Sequence, residues 1–209
     1  MSDEIRAAVK ESSDELNPSV VTIAPIAAPP RRRSVKDTIA FSVATCGVGL
    51  LPLAPGTWGS LVGVFLWSSA LAMSERIYLF ATARGWTGLQ AESLYTTLAI
   101  FALAALTFVG TWAASRVEPL IGRKDPGVVV IDEVVGQLIA FIFVPRSAGV
   151  WTLVAGFSLF RLFDIWKPYP IRRLEVLESG LGIMADDVLA GIYAAAVMSL
   201  LVFISSFAG

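Results

Sequence analysis

The chain has 209 residues, of which 56% are hydrophobic and 16% charged, with a net charge of −1 and no histidine. Soluble domains carry roughly 25% charged residues, and mean hydropathy here is +0.71, so the composition predicts a membrane protein with too little polar surface to cover a water-soluble core. Near-neutral net charge gives no reason to expect a nucleic-acid partner, and a lone cysteine, Cys46, excludes an intramolecular disulfide.

In chain order, residues 1–36 read as a disordered polar and basic tail that runs through Arg31-Arg32-Arg33. It lacks the short apolar core and small-residue cleavage site of a signal peptide. Its arginines are expected to hold the N-terminus in the cytoplasm and to touch anionic headgroups. Residues 37–209 are expected to form one membrane-embedded domain. Thr38 to Leu53 is apolar but short and broken by glycines and Pro52, which predicts an interfacial or re-entrant segment. Five apolar stretches follow: Gly59 to Phe80, Leu94 to Ala114, Val128 to Val144, Val150 to Phe163 and Val188 to Phe207. Crossing the hydrocarbon core takes about 20 helical residues. The second and fifth stretches suffice outright, whereas the third and fourth need their polar ends at the interface. The fold class is therefore all-α, a polytopic bundle of about five apolar helices.

With the N-terminus inside, five alternating crossings leave thirteen Lys and Arg residues in cytoplasmic segments and three (Arg76, Arg84, Arg146) outside. Without the tail the split is seven to three, still a positive-inside bias. The same topology gathers four polar clusters on one face. They are Pro55–Ser60 before the first stretch, Asp125, Asp132 and Glu133 at the third, Arg161 to Lys167 closing the fourth, and Asp186-Asp187 opening the fifth.

Asp132 and Glu133 lie in Val-Val-Val-Ile-Asp-Glu-Val-Val-Gly-Gln. Ionised carboxylates among β-branched apolar residues are costly unless paired or bound to a cation, although a first-turn pair favoured by the helix dipole is the plainer alternative. Asp186 and Asp187 repeat the pattern, with an N-cap plus first-turn acid as the plainer reading. Each pair is followed by a glycine, Gly136 or Gly191, that leaves room for a neighbouring helix or a ligand. Brought together, four carboxylates would repel without a cation. All-oxygen donors without histidine suit Mg²⁺ or Mn²⁺ rather than zinc. Arg161, Asp164 and Pro168 share a helical face, with Lys167 three residues beyond Asp164. They form either a structural salt bridge or a phosphate clamp of fork and point charge beside a metal ligand. Thr57 and Ser60 in the glycine-containing turn are further phosphate-binding candidates, and Trp58 can serve as an interfacial anchor.

Absent motifs narrow the chemistry. Histidine-dependent phosphatases are excluded, a cysteine phosphatase would need arginine where Pro52 stands, and no Asp-x-Asp-x-Thr or Asp-x-Asp-x-Val nucleophile is present. The Asp-Gly to Asp-x-x-x-Asp signature of the CDP-alcohol phosphotransferases is missing too. A carboxylate-lined cation-coupled transporter stays open, as does a membrane phosphotransferase acting on another phospholipid precursor.

The blocks at 51–60, 128–137, 160–175 and 180–191 together resemble the phosphatidylglycerophosphatase A family, in the family's order and over most of the chain from Ser34 onward. The resemblance implies an all-α fold in the bacterial inner membrane, with the active site facing the cytoplasm. It also implies Mg²⁺-dependent hydrolysis of phosphatidylglycerophosphate to phosphatidylglycerol and inorganic phosphate. The acidic positions it carries over, as catalytic and metal-binding residues, are Asp132, Glu133, Asp164, Asp186 and Asp187. The basic ones are Arg161 and Lys167. It assigns nothing to the tail.

Overall fold

The computed structural model describes residues 34–145, 149–174 and 176–207; the tail expected over 1–36 lies outside these up to Arg33. Among the described residues the chain forms seven α-helices, one 3₁₀ turn and no strand. The helices are α1 (Val35–Thr45), α2 (Pro55–Ala83), α3 (Gly88–Ile121), α4 (Ile131–Ala140), α5 (Trp151–Trp166), α6 (Ile171–Leu174) and α7 (Ser179–Ser205).

Among the described residues three helices are long and apolar enough to cross a membrane: α2 with 29 residues, α3 with 34 and α7 with 27. At 1.5 Å per residue each exceeds the roughly 30 Å hydrocarbon core. The other two apolar stretches become shorter helices, α4 of 10 residues and α5 of 16, reaching only about 15 and 24 Å. The molecule is thus a helical membrane protein in which three helices have full spanning length and two reach partway. The segment over Thr38 to Leu53 is α1, then left-handed Cys46 and Gly47, then a 3₁₀ turn at Val48–Leu50. Leu50, Leu51 and Leu53 are exposed.

Capping fixes several boundaries. Ser34 and Asp37 form a capping box on α1, and Thr87 and Gln90 form one on α3, each pair satisfying otherwise orphaned N–H groups. Gly122, at φ 73°, ends α3 in the left-handed conformation that glycine adopts without penalty. Salt-bridged Asp37 and Arg116 (2.7 Å) tie α1 to the end of α3.

The core forms where backbones approach closely. On α2, Gly59 and Gly63 face α4: a Cβ on Gly59 would lie 2.9 Å from Val130 O, and one on Gly63 would lie 2.7 Å from Gln137 Cβ. On α4, a Cβ at Gly136 would lie 2.7 Å from Asp187 O and would strike the Phe160 ring. Gly191 of α7 abuts Gly136 O in return. Such small-residue contacts are how membrane helices gain packing where lipid supplies no hydrophobic drive. The start of α2, the end of α3, the start of α4, the end of α5 and the first third of α7 therefore meet at one end of the bundle.

α7 departs from expectation. Asp186 and Asp187 do not open it; the helix begins at Ser179, so both acids lie two turns inside and the N-cap reading fails. Its early glycines are contact points. A Cβ on Gly180 would collide with Thr111 O and Ser115 of α3.

A buried carboxylate cluster at the meeting of four helices

Asp132 and Glu133 occupy the first turn of α4, where the partial positive charge of the helix N-terminus favours anions. The approach to α4 is held by Val130, whose N–H donates to Ala44 O of α1 at 2.8 Å. Asp187 comes in from α7 across the Gly136–Gly191 contact. Asp132, Glu133 and Asp187 each offer a carboxylate oxygen, and these oxygens lie within 4.8 Å of one another. Asp132 and Asp187 are 7% and 4% exposed.

The other two acids are engaged differently. Asp164 on α5 takes a hydrogen bond from Arg161 Nη1 at 2.5 Å. Asp186 accepts from Lys167 Nζ at 2.7 Å and from the Asp187 N–H at 3.1 Å. All five sequence-predicted acids therefore share one constellation. Three cluster, and two hold the predicted cations.

Lys167 caps α5 at φ 46°, a left-handed conformation, with its N–H on Phe163 O. A side chain there costs about 1–2 kcal/mol. The bond to Asp186 and the following Pro168, which cannot continue the helix, hold it in place. Arg161 lies near Glu133 and the start of α2. Its Nη1 and Glu133 Oε1 both crowd the Cα of Gly56, where any side chain would collide with the carboxylate.

The predicted phosphate-binding hydroxyls divide. Ser60 is fully buried and its Oγ donates to Gly56 O at 3.0 Å, so it braces the first turn of α2. Thr57 is half-buried, and its N–H donates back to Ala54 O. Trp58 is 43% exposed and bonds Leu53 O, as an interfacial anchor would. A cavity of ≈ 360 Å³ opens on Asp186, bounded by Lys124, Asp125 and Gly182.

Buried ionised carboxylates cost several kcal/mol each unless compensated. Three buried acids, Asp132, Asp186 and Asp187, and the half-buried Glu133 and Asp164 face two cations here. Asp132 Oδ1 and Glu133 Oε2 are buried without a hydrogen-bond partner, and buried orphan oxygens point to an ion or water. Asp132, Glu133 and Asp187 form an all-oxygen donor set that suits a hard divalent cation. Gln137 also lacks partners for both amide atoms although wholly buried. Sequence reasoning passed over it, yet its position one turn after Glu133 in an apolar run was a usable signal.

The family model for phosphatidylglycerophosphatase A matches residues 41–202. A Bacteroides thetaiotaomicron protein named as a proposed phosphatidylinositol-3-phosphatase is 40% identical over 148 residues, 70% of this chain and 82% of its own. The phosphatidylglycerophosphatase A of Haemophilus influenzae is 38% identical over 173 residues, covering 81% of this chain and 92% of its own. That of Escherichia coli is 32% identical over 153 residues, covering 73% and 76%. No solved structure matches with significance.

Proposed function

The chain belongs to the phosphatidylglycerophosphatase A family, and from that premise we propose that it hydrolyses phosphatidylglycerophosphate to phosphatidylglycerol and inorganic phosphate. We place the reaction at the cytoplasmic face of the bacterial inner membrane, with Mg²⁺ as cofactor. The observation that carries this reading is the cluster of Asp132, Glu133 and Asp187, flanked by Arg161 and Lys167. A transporter would want carboxylates at mid-bilayer with access from both sides. Acids gathered at one end of the bundle beside fixed cations favour phosphate chemistry instead.

In this reading Asp132, Glu133 and Asp187 would hold Mg²⁺. A hard divalent cation supplies neutralisation of phosphoryl charge and acidification of water. Arg161 presents a planar fork to two phosphoryl oxygens, and Lys167 presents a point charge. Asp164 and Asp186 aim these two cations rather than joining the metal set. Water attacks phosphorus directly. One carboxylate of the cluster takes its proton and passes it to the glycerol oxygen as the bond from phosphorus to that oxygen breaks. Thr57 lies at the edge of the site as a supplementary donor, and the acyl chains stay in the bilayer.

The test is phosphate release by purified protein with Mg²⁺ from phosphatidylglycerophosphate, phosphatidate and phosphatidylinositol 3-phosphate. Phosphatidylglycerophosphate is expected to give the highest kcat/KM. Preference for the inositol lipid would reassign the substrate, and release from none of them by folded protein would defeat the phosphatase reading.

A further inference from the structure

Between α5 and α7 the chain makes a short strap, Lys167 to Leu174. Pro168 and Pro170 bar α5 from continuing, and α6 turns the chain back. The strap borders an open cavity of ≈ 380 Å³ lined by Trp166, Lys167, Tyr169, Arg172 and Arg173. Trp166 and Tyr169 are 61% and 72% exposed, the aromatic pattern of a segment at headgroup level. Arg172 Nη2 donates to Trp166 O at 3.4 Å. Arg173 Nη1 donates to the Tyr169 hydroxyl at 3.2 Å, and its guanidinium lies 4.8 Å from the Tyr169 ring centre. Among the described residues neither guanidinium forms an ion pair, so most of their N–H groups stay available. Lys167 lines the same cavity and bonds Asp186, the neighbour of Asp187. Lys167 therefore links the cavity to Asp186, the residue next in sequence to Asp187 of the cluster.

We propose that this strap is a second phosphate subsite, in which Arg172 and Arg173 bind the phosphodiester joining a lipid's headgroup to its diacylglycerol. It rests on the reading above, in which the terminal monoester lies at the Asp132–Glu133–Asp187 cluster. A lipid with both a diester and a terminal monoester, whether its headgroup is glycerol or inositol, engages both places. Phosphatidate, whose monoester sits directly on diacylglycerol, engages only one. Two guanidinium forks match the anionic diester oxygens in shape and charge. The strap thus selects among lipid phosphates. Two simpler roles for the same arginines are fixing topology and general attraction to an anionic surface, and neither discriminates between the lipids.

The experiment compares the parent with Arg172→Gln, Arg173→Gln and the double variant in neutral detergent micelles at fixed Mg²⁺. KM for phosphatidylglycerophosphate is expected to rise on the order of ten-fold in the double variant, as loss of charge-assisted contacts implies, with kcat changing much less and KM for phosphatidate moving far less. Binding of phosphatidylglycerol, which carries the diester alone, is read separately by tryptophan fluorescence and should weaken in parallel. Equal losses on both lipids, no loss on either, or undiminished phosphatidylglycerol binding would overturn the subsite. So would an effect seen only when the micelles carry added anionic lipid. If the parent hydrolyses neither lipid, the phosphatase reading falls, and phosphatidylglycerol binding still decides the subsite. Both arginines are exposed, so the single variants keep the packed residues of the strap.

Discussion

The two longest helices and the shortest of the five apolar ones solve opposite problems. α2 and α3 turn large side chains outward: Phe65, Phe101 and Phe108 are 69%, 70% and 78% exposed. α4 has ten residues and buries seven of them, Asp132 and Gln137 included. Lipid tails are as apolar as leucine, so apolarity alone gives a membrane helix no reason to be inside. What brings α4 inside is close backbone contact, through Gly59 and Gly63 on α2 and Gly136 against Gly191 on α7. In this chain hydropathy identifies what meets lipid, whereas glycines and carboxylates identify what meets protein.

That contrast predicts where substitutions hurt. The largest effects belong to the buried acids. Asp132→Asn, Glu133→Gln and Asp187→Asn should each lower kcat on the order of 10²-fold or more, the scale of losing a transition-state contact or a metal ligand. Arg161→Lys should also be costly, since a point charge cannot replace a fork. Glu118→Ala, outside the cluster, should stay within a few-fold of the parent by the same assay. Matched melting temperatures in detergent separate chemistry from folding. Active Asn variants beside a dead Glu118→Ala would break the contrast.

A packing test comes next. Gly136→Ala puts a Cβ 2.7 Å from Asp187 O, and a backbone atom cannot swing aside, so a loss of about 1–3 kcal/mol is expected, with falling activity as α4 and α7 separate. Phe101→Leu, on the lipid face of α3, should change stability by roughly 0.5 kcal/mol or less. Detergent melting curves showing equal losses would mean the two regions are not packed on different principles.

Burial first, then the Glu133 charge, pushes the Cys46 thiol up to about 11, so thiolate is scarce at neutral pH and alkylation should be slow. A cysteine at Val176, 78% exposed, should react far faster, and in intact cells only after the membrane is made permeable. Prompt labelling of Val176→Cys by an impermeant reagent would reverse the proposed orientation.

The smallest effect sits on α1. The Ser34 backbone N–H bonds the Asp37 carboxylate at 2.8 Å and lowers its pKa; burial opposes this, while the Ser34 hydroxyl and Arg116 add to it. A depressed carboxylate stabilises the fold above its unfolded value of about 4 and loses that contribution as pH falls through the folded value. Acid melting of the parent should therefore be steeper below about pH 4 than that of Asp37→Asn.

Much of this was legible in the sequence, for physical reasons. Acidic pairs stand out in apolar runs because isolated buried charge is costly, and Arg161, Asp164 and Lys167 announced their cluster by helical spacing. The glycines after each acidic pair marked where α4 and α7 touch. The start of α7 was not legible, because Gly180 and Gly182 serve contacts with α3 and with Leu177 O that local pattern cannot reveal. Nor was the division of the five acids, since which carboxylate meets a cation and which meets another carboxylate depends on helix rotation. The hydroxyl of Ser60 was misleading for a related reason: it bonds its own helix.

The central claim is that the Asp132–Glu133–Asp187 cluster is a metal-dependent phosphatase centre. Its most direct test is phosphate release from phosphatidylglycerophosphate by purified protein stripped with EDTA and then titrated with Mg²⁺. The account predicts no turnover in the stripped protein and saturable recovery as Mg²⁺ is added, a recovery that Asp187→Asn blunts. Full turnover in the stripped protein would contradict it.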